Sequence, residues 1–146
     1  VIPAFDHAGQ LPAGVHEAEW AEVVERFGRT KRRRTLLAGL GDALRLLRAA
    51  GCNAVYLGGS FVTAKPVPAD FDAAWVTADV DVNLLDGVFF DFSDGRAAQK
   101  ARFGGELFPA DFEEADTGRS FAEFFQFSRE DEPVGIVLII NLQTVP

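Results

Sequence analysis

A glycine-rich turn, a serine and a pair of aspartates stand in this chain at a spacing that could do chemistry. Gly58-Gly59-Ser60 closes the apolar run Ala54-Val55-Tyr56-Leu57, nine residues separate Ser60 from Asp70, and Asp72 lies two further on. Glycines let backbone N–H groups come close to an anion, and a following helical turn aims its free N–H groups the same way. Ser60 adds a hydroxyl donor. Asp70 and Asp72 flank Phe71, and positions i and i+2 of a strand share one face. Their carboxylates would point together while Phe71 enters the core. Like charges so placed repel unless a cation lies between them, and Mg2+ or Mn2+ carrying substrate phosphates suits such hard oxygen ligands. Lys65, within the spacer, could neutralise phosphate charge. Each feature alone has a plainer reading: a turn, an edge-strand surface, a solvated lysine. Their conjunction between two predicted strands makes a site.

The elements that must position these residues follow from hydrophobic periodicity. Residues 1–15, with Pro3, Gly9, Pro12 and Gly14, read as an extended lead-in. Trp20, Val23, Val24 and Phe27 fall on one helical face and predict a helix over 16–27, with His16 at its start and Gly28 as its stop. Thr30 is the expected N-cap of a second helix, carried by Leu37, Leu40, Leu44 and Leu47 and ended by Gly51. Strands are predicted over 54–57, 71–76, 103–110 and 134–142, and a short helix over 93–102. Residues 111–119 read as an acidic loop, and 120–127 are ambiguous between helix and strand. Phe121, Phe124, Phe125 and Phe127 are expected in the core, an exposed subset making a partner surface. Two helices followed by mixed strands and short helices give an α+β class: a mixed β-sheet packed against N-terminal helices.

Composition narrows the functions available. The chain has 146 residues and a net charge of −8, and it is expected to form a single domain over 1–146. Residues 1–65 hold nine basic and six acidic side chains, residues 66–146 five basic and sixteen acidic. Every candidate metal ligand lies in the acidic part. The basic run Arg26, Arg29, Lys31, Arg32, Arg33 and Arg34 reads as a solvated linker and first helical turn, with a phosphate backbone as the alternative partner. Cations in a first turn oppose the helix dipole, so they invite a partner. One cysteine excludes an internal disulfide framework and a cysteine zinc cluster, and Cys52 is expected as a small buried filler. Two histidines, His7 and His16, leave no histidine-rich metal site, and neither has a serine-motif partner for a Ser-His-Asp set. The longest apolar run, Ile136 to Ile140, is far below a membrane span. No signal peptide is visible, and a cytoplasmic location is expected.

Leu57-Gly58-Gly59-Ser60-Phe61-Val62, followed by Pro68-Ala69-Asp70-Phe71-Asp72, resembles the signature of the DNA polymerase β-like nucleotidyltransferase superfamily. It looks most like a small bacterial branch of minimal nucleotidyltransferases, and the wider likeness takes in Pro3-Ala4-Phe5-Asp6 and the arginine-rich second helix. The resemblance implies a nucleotidyltransferase-like sheet and transfer of a nucleotide from a nucleoside triphosphate to an acceptor hydroxyl, with release of pyrophosphate. It implies that Asp70 and Asp72 hold Mg2+ or Mn2+ and that Gly59 and Ser60 cradle the phosphates. A third carboxylate on a later strand completes the metal set and helps deprotonate the acceptor. Glu106 is preferred for it, then Asp91, then Asp111. Glu106 stands where the superfamily commonly has aspartate, and Asn141 stands on the last strand where a carboxylate is expected. The acceptor is a protein, an RNA or a small molecule. The alternative is a catalytically weak or inactive binding module, such as an antitoxin-like partner of another protein or a nucleotide sensor.

Overall fold

The computed structural model describes all residues 1–146. It is a mixed α+β structure with a five-stranded mixed sheet and four helices. In chain order these are β1 (Gly14–Ala18), α1 (Trp20–Phe27), α2 (Lys31–Ala49), β2 (Val55–Gly58), β3 (Phe71–Trp75), α3 (Ser93–Phe103), β4 (Gly105–Pro109), α4 (Phe121–Phe124) and β5 (Gly135–Ile139). The strand order is β1-β5-β2-β3-β4. The outer pairs β1–β5 and β3–β4 are parallel, whereas β2 runs antiparallel to both its neighbours.

Strand alternation sends two sets of side chains to opposite faces. Val55, Leu57, Phe71, Ala73, Trp75, Leu107, Val137 and Ile139 pack into the main core with Val23 and Phe27 of α1 and Leu36, Leu40, Leu44 and Leu47 of α2. α2 is fully buried along this stripe. It meets α3 so closely that a Cβ on Gly39 would overlap the Phe103 carbonyl. Gln99, completely buried on α3, accepts from the Leu107 N–H at 2.9 Å and donates to the Val88 carbonyl at 3.1 Å, fixing α3 against β4. The other face of the sheet carries a smaller apolar cluster. There Ala74 and Ile136 meet Ala110 and Phe125, with Tyr56, Phe108, Phe121 and Phe124 packed around them.

The first helix differs from expectation. Residues 14–18 form β1, paired with β5 over five positions, and the helix starts only at Trp20. His16 therefore sits on a strand, its ring nitrogen 2.6 Å from the Pro12 carbonyl. The half-buried alternation of Gly14–Ala18 fits an edge strand, and its sheet partner is a strand more than a hundred residues away. α2 begins and ends within a residue or two of expectation, with the Thr30 hydroxyl accepting from the Arg33 N–H. Residues 120–127 resolve into the single turn α4, capped by Ser120. Cys52 is buried, and burial pushes its thiol up to about 11, as a structural cysteine requires. No helix is long and apolar enough to cross a membrane.

The basic run is not a solvated surface throughout. Arg33 is only 4% exposed and donates to the carbonyls of Phe61, Thr63 and Lys65 at 2.7 Å each. Arg32 donates to Pro68 at 3.2 Å and to the Ala69 carbonyl. Arg26 ties down the lead-in through the Ile2 and Pro3 carbonyls, its guanidinium 4.3 Å from the centre of the Phe5 ring. For Arg32 and Arg33 the partner that first-turn cations invite is thus the chain's own spacer between Ser60 and Asp70.

Candidate active site

The Gly-Gly-Ser turn, the aspartates and Glu106 open together into a cleft of about 1370 Å3 on the sheet face away from α1 and α2. Local structure accounts for each placement. β2 ends at Gly58, and Gly59–Val62 forms a single 3-10 turn. Thr63 closes this turn by donating both its N–H and its hydroxyl to the Ser60 carbonyl, at 3.2 and 2.6 Å. Gly58 pairs with Asp72 across β2–β3, and Asp72 pairs with Glu106 across β3–β4. Cross-strand partners share a face, so one line across the sheet joins the turn to both acids. Asp70 lies just before β3 and reaches the same cleft.

Gly59 has φ +71°, a left-handed conformation, and a Cβ there would overlap Asp72 Oδ2. The backbone of the turn is therefore pressed against a carboxylate, an approach only glycine allows. Replacing Gly59 by alanine is expected to destabilise the protein by about 2 kcal/mol, from left-handed strain and displacement of Asp72. A thermal melt beside wild type checks this, and an unchanged melting temperature would refute the close approach.

The electrostatics mark Asp72 as the unusual group. Burial, then the charges of Asp70 and Glu106, push its carboxyl up to about 7, and no hydrogen bond is among the causes of the shift. Asp70 is pushed upward by burial and by Glu106, opposed by Lys100, Arg32 and Lys65. Glu106 is held otherwise: Arg96 Nε lies 2.9 Å from one of its oxygens and Lys100 Nζ 3.3 Å from the other. Lys100 is thus an ion-pair partner of Glu106, and Arg102 pairs with Asp86 at 2.9 Å.

The alternative third acids lie elsewhere. Asp91 accepts from the N–H and hydroxyl of Ser93 and lines no part of the cleft. Asp111 is exposed on the loop after β4, also outside the cleft. Asn141 follows the far end of β5 and donates to Glu19 at 2.6 Å. Because Val137 pairs with Leu57 and Ile139 with Val55, Asn141 is at the opposite end of the sheet from Gly58, so it has no bearing on the site. Lys65 is exposed and borders the cleft.

Sequence reasoning missed several of the cleft's residues. Arg96 and Arg119 line it, and so do Phe108, Phe121, Phe124, Phe125 and Phe127. Phe108 and Phe121 stack with ring centres 4.0 Å apart, and the Arg119 guanidinium lies 3.6 Å from the centre of the Phe127 ring. The phenylalanine spacing over 121–127 was the available signal, but it did not distinguish a second core from a cleft wall. Three carboxylates are the donors a hard divalent cation takes, and the desolvated Asp72 would be relieved by one. Yet no three acidic, histidine or cysteine side chains stand grouped as a ready-made metal cage. The donor chemistry of Asp70, Asp72 and Glu106 fits Mg2+ or Mn2+, provided Glu106 is freed from its basic partners.

Among families of known sequences, the model described as Family of unknown function (DUF6932) matches residues 3–140. No curated protein and no solved structure matches the chain significantly.

Proposed function

The chain belongs to the family of unknown function DUF6932, so its activity has to be read from the site, and we propose a metal-dependent nucleotidyltransferase. It would move a nucleoside monophosphate from a nucleoside triphosphate to an acceptor hydroxyl and release pyrophosphate. One observation carries the reading. The tight Gly59-Ser60 turn abuts a desolvated carboxylate, Asp72, which pairs across β3–β4 with Glu106 and stands beside Asp70 in one open cleft.

Each residue has a role that its position supports. Gly59 and Ser60 offer backbone N–H groups and a hydroxyl to the β- and γ-phosphates, and Lys65 at the rim offsets their charge. Asp70 and Asp72 would hold Mg2+ or Mn2+, and Glu106 would complete the set. Such an ion supplies charge neutralisation at the triphosphate and makes an acceptor hydroxyl more acidic. Glu106 also offers a carboxylate to receive the acceptor's proton. The phenylalanine wall offers aromatic faces to a nucleobase, by stacking worth about 1–3 kcal/mol. The acceptor, whether protein, RNA or small molecule, would come in across the cleft rim.

Transfer of label from α-labelled nucleoside triphosphates, with Mg2+ or Mn2+ and a cell extract as acceptor source, tests the reading. Wild type is expected to incorporate label, and Asp70→Ala with Asp72→Ala to lose roughly a thousandfold or more. Equal incorporation by both would sink the assignment. A second reading is favoured by the double ion pair of Glu106 with Arg96 and Lys100. It is a binding module that takes a nucleotide without transferring it, acting as a sensor or as the antitoxin-like partner of another protein. Stoichiometric triphosphate binding with no incorporation would favour it.

A further inference from the structure

Glu106 has both oxygens occupied by cations, Arg96 at 2.9 Å and Lys100 at 3.3 Å. A carboxylate so neutralised is a poor ligand for a divalent ion, and two fixed positive charges beside the site oppose such an ion further. To serve the cleft, Glu106 must shed one of these partners. The two are not equivalent. Lys100 sits in the regular part of α3, whereas Arg96 ends a run of three left-handed residues, Asp94 (φ 51°), Gly95 (φ 64°) and Arg96 (φ 62°). For a residue with a Cβ that conformation costs roughly 1–2 kcal/mol, strain that a change of backbone at Arg96 would release. Arg96 also lines the cleft and Lys100 does not. Its planar fork matches phosphate oxygens two at a time, which an ammonium does not.

We propose that Arg96 is a triphosphate-binding residue that exchanges partners: it neutralises Glu106 in the empty cleft and passes to the substrate's phosphates when Glu106 turns to the metal. This rests on the nucleotidyltransferase reading and adds to it an order of events. Triphosphate and cation bind together, because the phosphates take the arginine that the carboxylate releases. Either alone binds against the Arg96–Glu106 ion pair. Lys100 stays with Glu106 and positions it.

Two binding measurements without turnover test the exchange. The loss of free Mn2+ signal in electron paramagnetic resonance reports the metal alone. Calorimetric titration with magnesium tripolyphosphate reports the phosphate subsite whatever the base. Arg96→Gln is expected to bind Mn2+ about threefold or more tighter, since one opposing charge is gone. It should bind magnesium tripolyphosphate about tenfold or more weaker, since a charge-assisted fork is lost. Arg96→Lys should fall between Arg96→Gln and wild type for tripolyphosphate. Lys100→Gln should tighten Mn2+ while leaving tripolyphosphate within about twofold. Tripolyphosphate binding unchanged in both Arg96 variants, or lost in Lys100→Gln instead, overturns the exchange. A wild type that binds neither probe overturns the nucleotidyltransferase reading beneath it. Should Arg96→Gln fail to give a cooperative melt, the Arg96→Lys and Lys100→Gln comparison decides.

Discussion

Asp72→Asn should yield a protein inert in nucleotide transfer yet more heat-stable than wild type at pH 8 without metal. The aspartate sits at about 7 because burial and the neighbouring Asp70 and Glu106 charges disfavour its ionised form. In the unfolded chain the same group titrates near its usual value of about 4. Between those values the folded state keeps a proton that the unfolded state has lost. Stability therefore falls as pH rises from about 4 through 7, and above 7 the whole penalty of the buried charge is present. A shift of this size corresponds to roughly 2–4 kcal/mol. Asparagine removes the charge and keeps the shape. Melting temperatures of variant and wild type should nearly coincide at pH 4.5 and separate by about 5–10 °C at pH 8. Millimolar Mg2+ should narrow the gap from the other side, stabilising wild type alone. A melting difference that does not change with pH would refute the desolvated-carboxylate account. Wild-type levels of transfer in the variant would refute the role of Asp72 in catalysis.

That opposition between stability and function explains which parts of the site the sequence discloses. Asp70 and Asp72 are visible because strand periodicity is local: a spacing of two within an apolar frame needs no knowledge of the rest of the chain. Gly59 is visible for the same reason, as a turn at the end of an apolar run. Glu106 could be preferred over Asp91 and Asp111 only through a resemblance, since its placement depends on the parallel register that sets it against Asp72, thirty-four residues earlier. The first strand was hidden within a helical pattern. Trp20, Val23 and Phe27 make a true amphipathic face, and nothing local stops it from running back to His16. Only pairing with β5 claims residues 14–18 for the sheet. Arg96 leaves no trace at all, because arginine, unlike glycine, asparagine or aspartate, is not a residue type that favours a left-handed backbone. A charged run is read by default as solvated, and for Arg33 that default fails.

Removing Arg33 tests how the fold supplies the site's geometry, and its expected effect is as large as that of Asp72 and opposite in sign. The guanidinium is buried beside the Phe27 and Phe61 rings and has no carboxylate partner. Burial pushes its pKa downward. A buried charge without a counter-ion is costly, and replacing a buried ion pair with apolar groups is often neutral. Taken alone, those facts would make Arg33→Met harmless. The difference lies in the partners. Phe61, Thr63 and Lys65 present fixed backbone carbonyls, which the substitution leaves in place and without a donor. Orphaning the buried Phe61 carbonyl costs about 1–3 kcal/mol, and the part-buried Thr63 and Lys65 carbonyls add a smaller cost each, so the sum, with the lost packing of the side chain on two rings, outweighs relief of the charge. Arg33→Met should therefore lose about 3–5 kcal/mol, with a melting temperature lower by roughly 10 °C or more. Arg33→Lys should recover part of this, because one ammonium cannot span carbonyls that a fork reaches together. The loss should be local as well as global. Amides of residues 61–65 should exchange with solvent faster than those of β2 and β3. Faster exchange there would loosen Ser60 and Lys65 in the cleft while leaving the main sheet intact. If Arg33→Met melts with wild type and keeps residues 61–65 protected, the spacer is held by its own turn chemistry, and the arginine-rich start of α2 must serve something outside the chain.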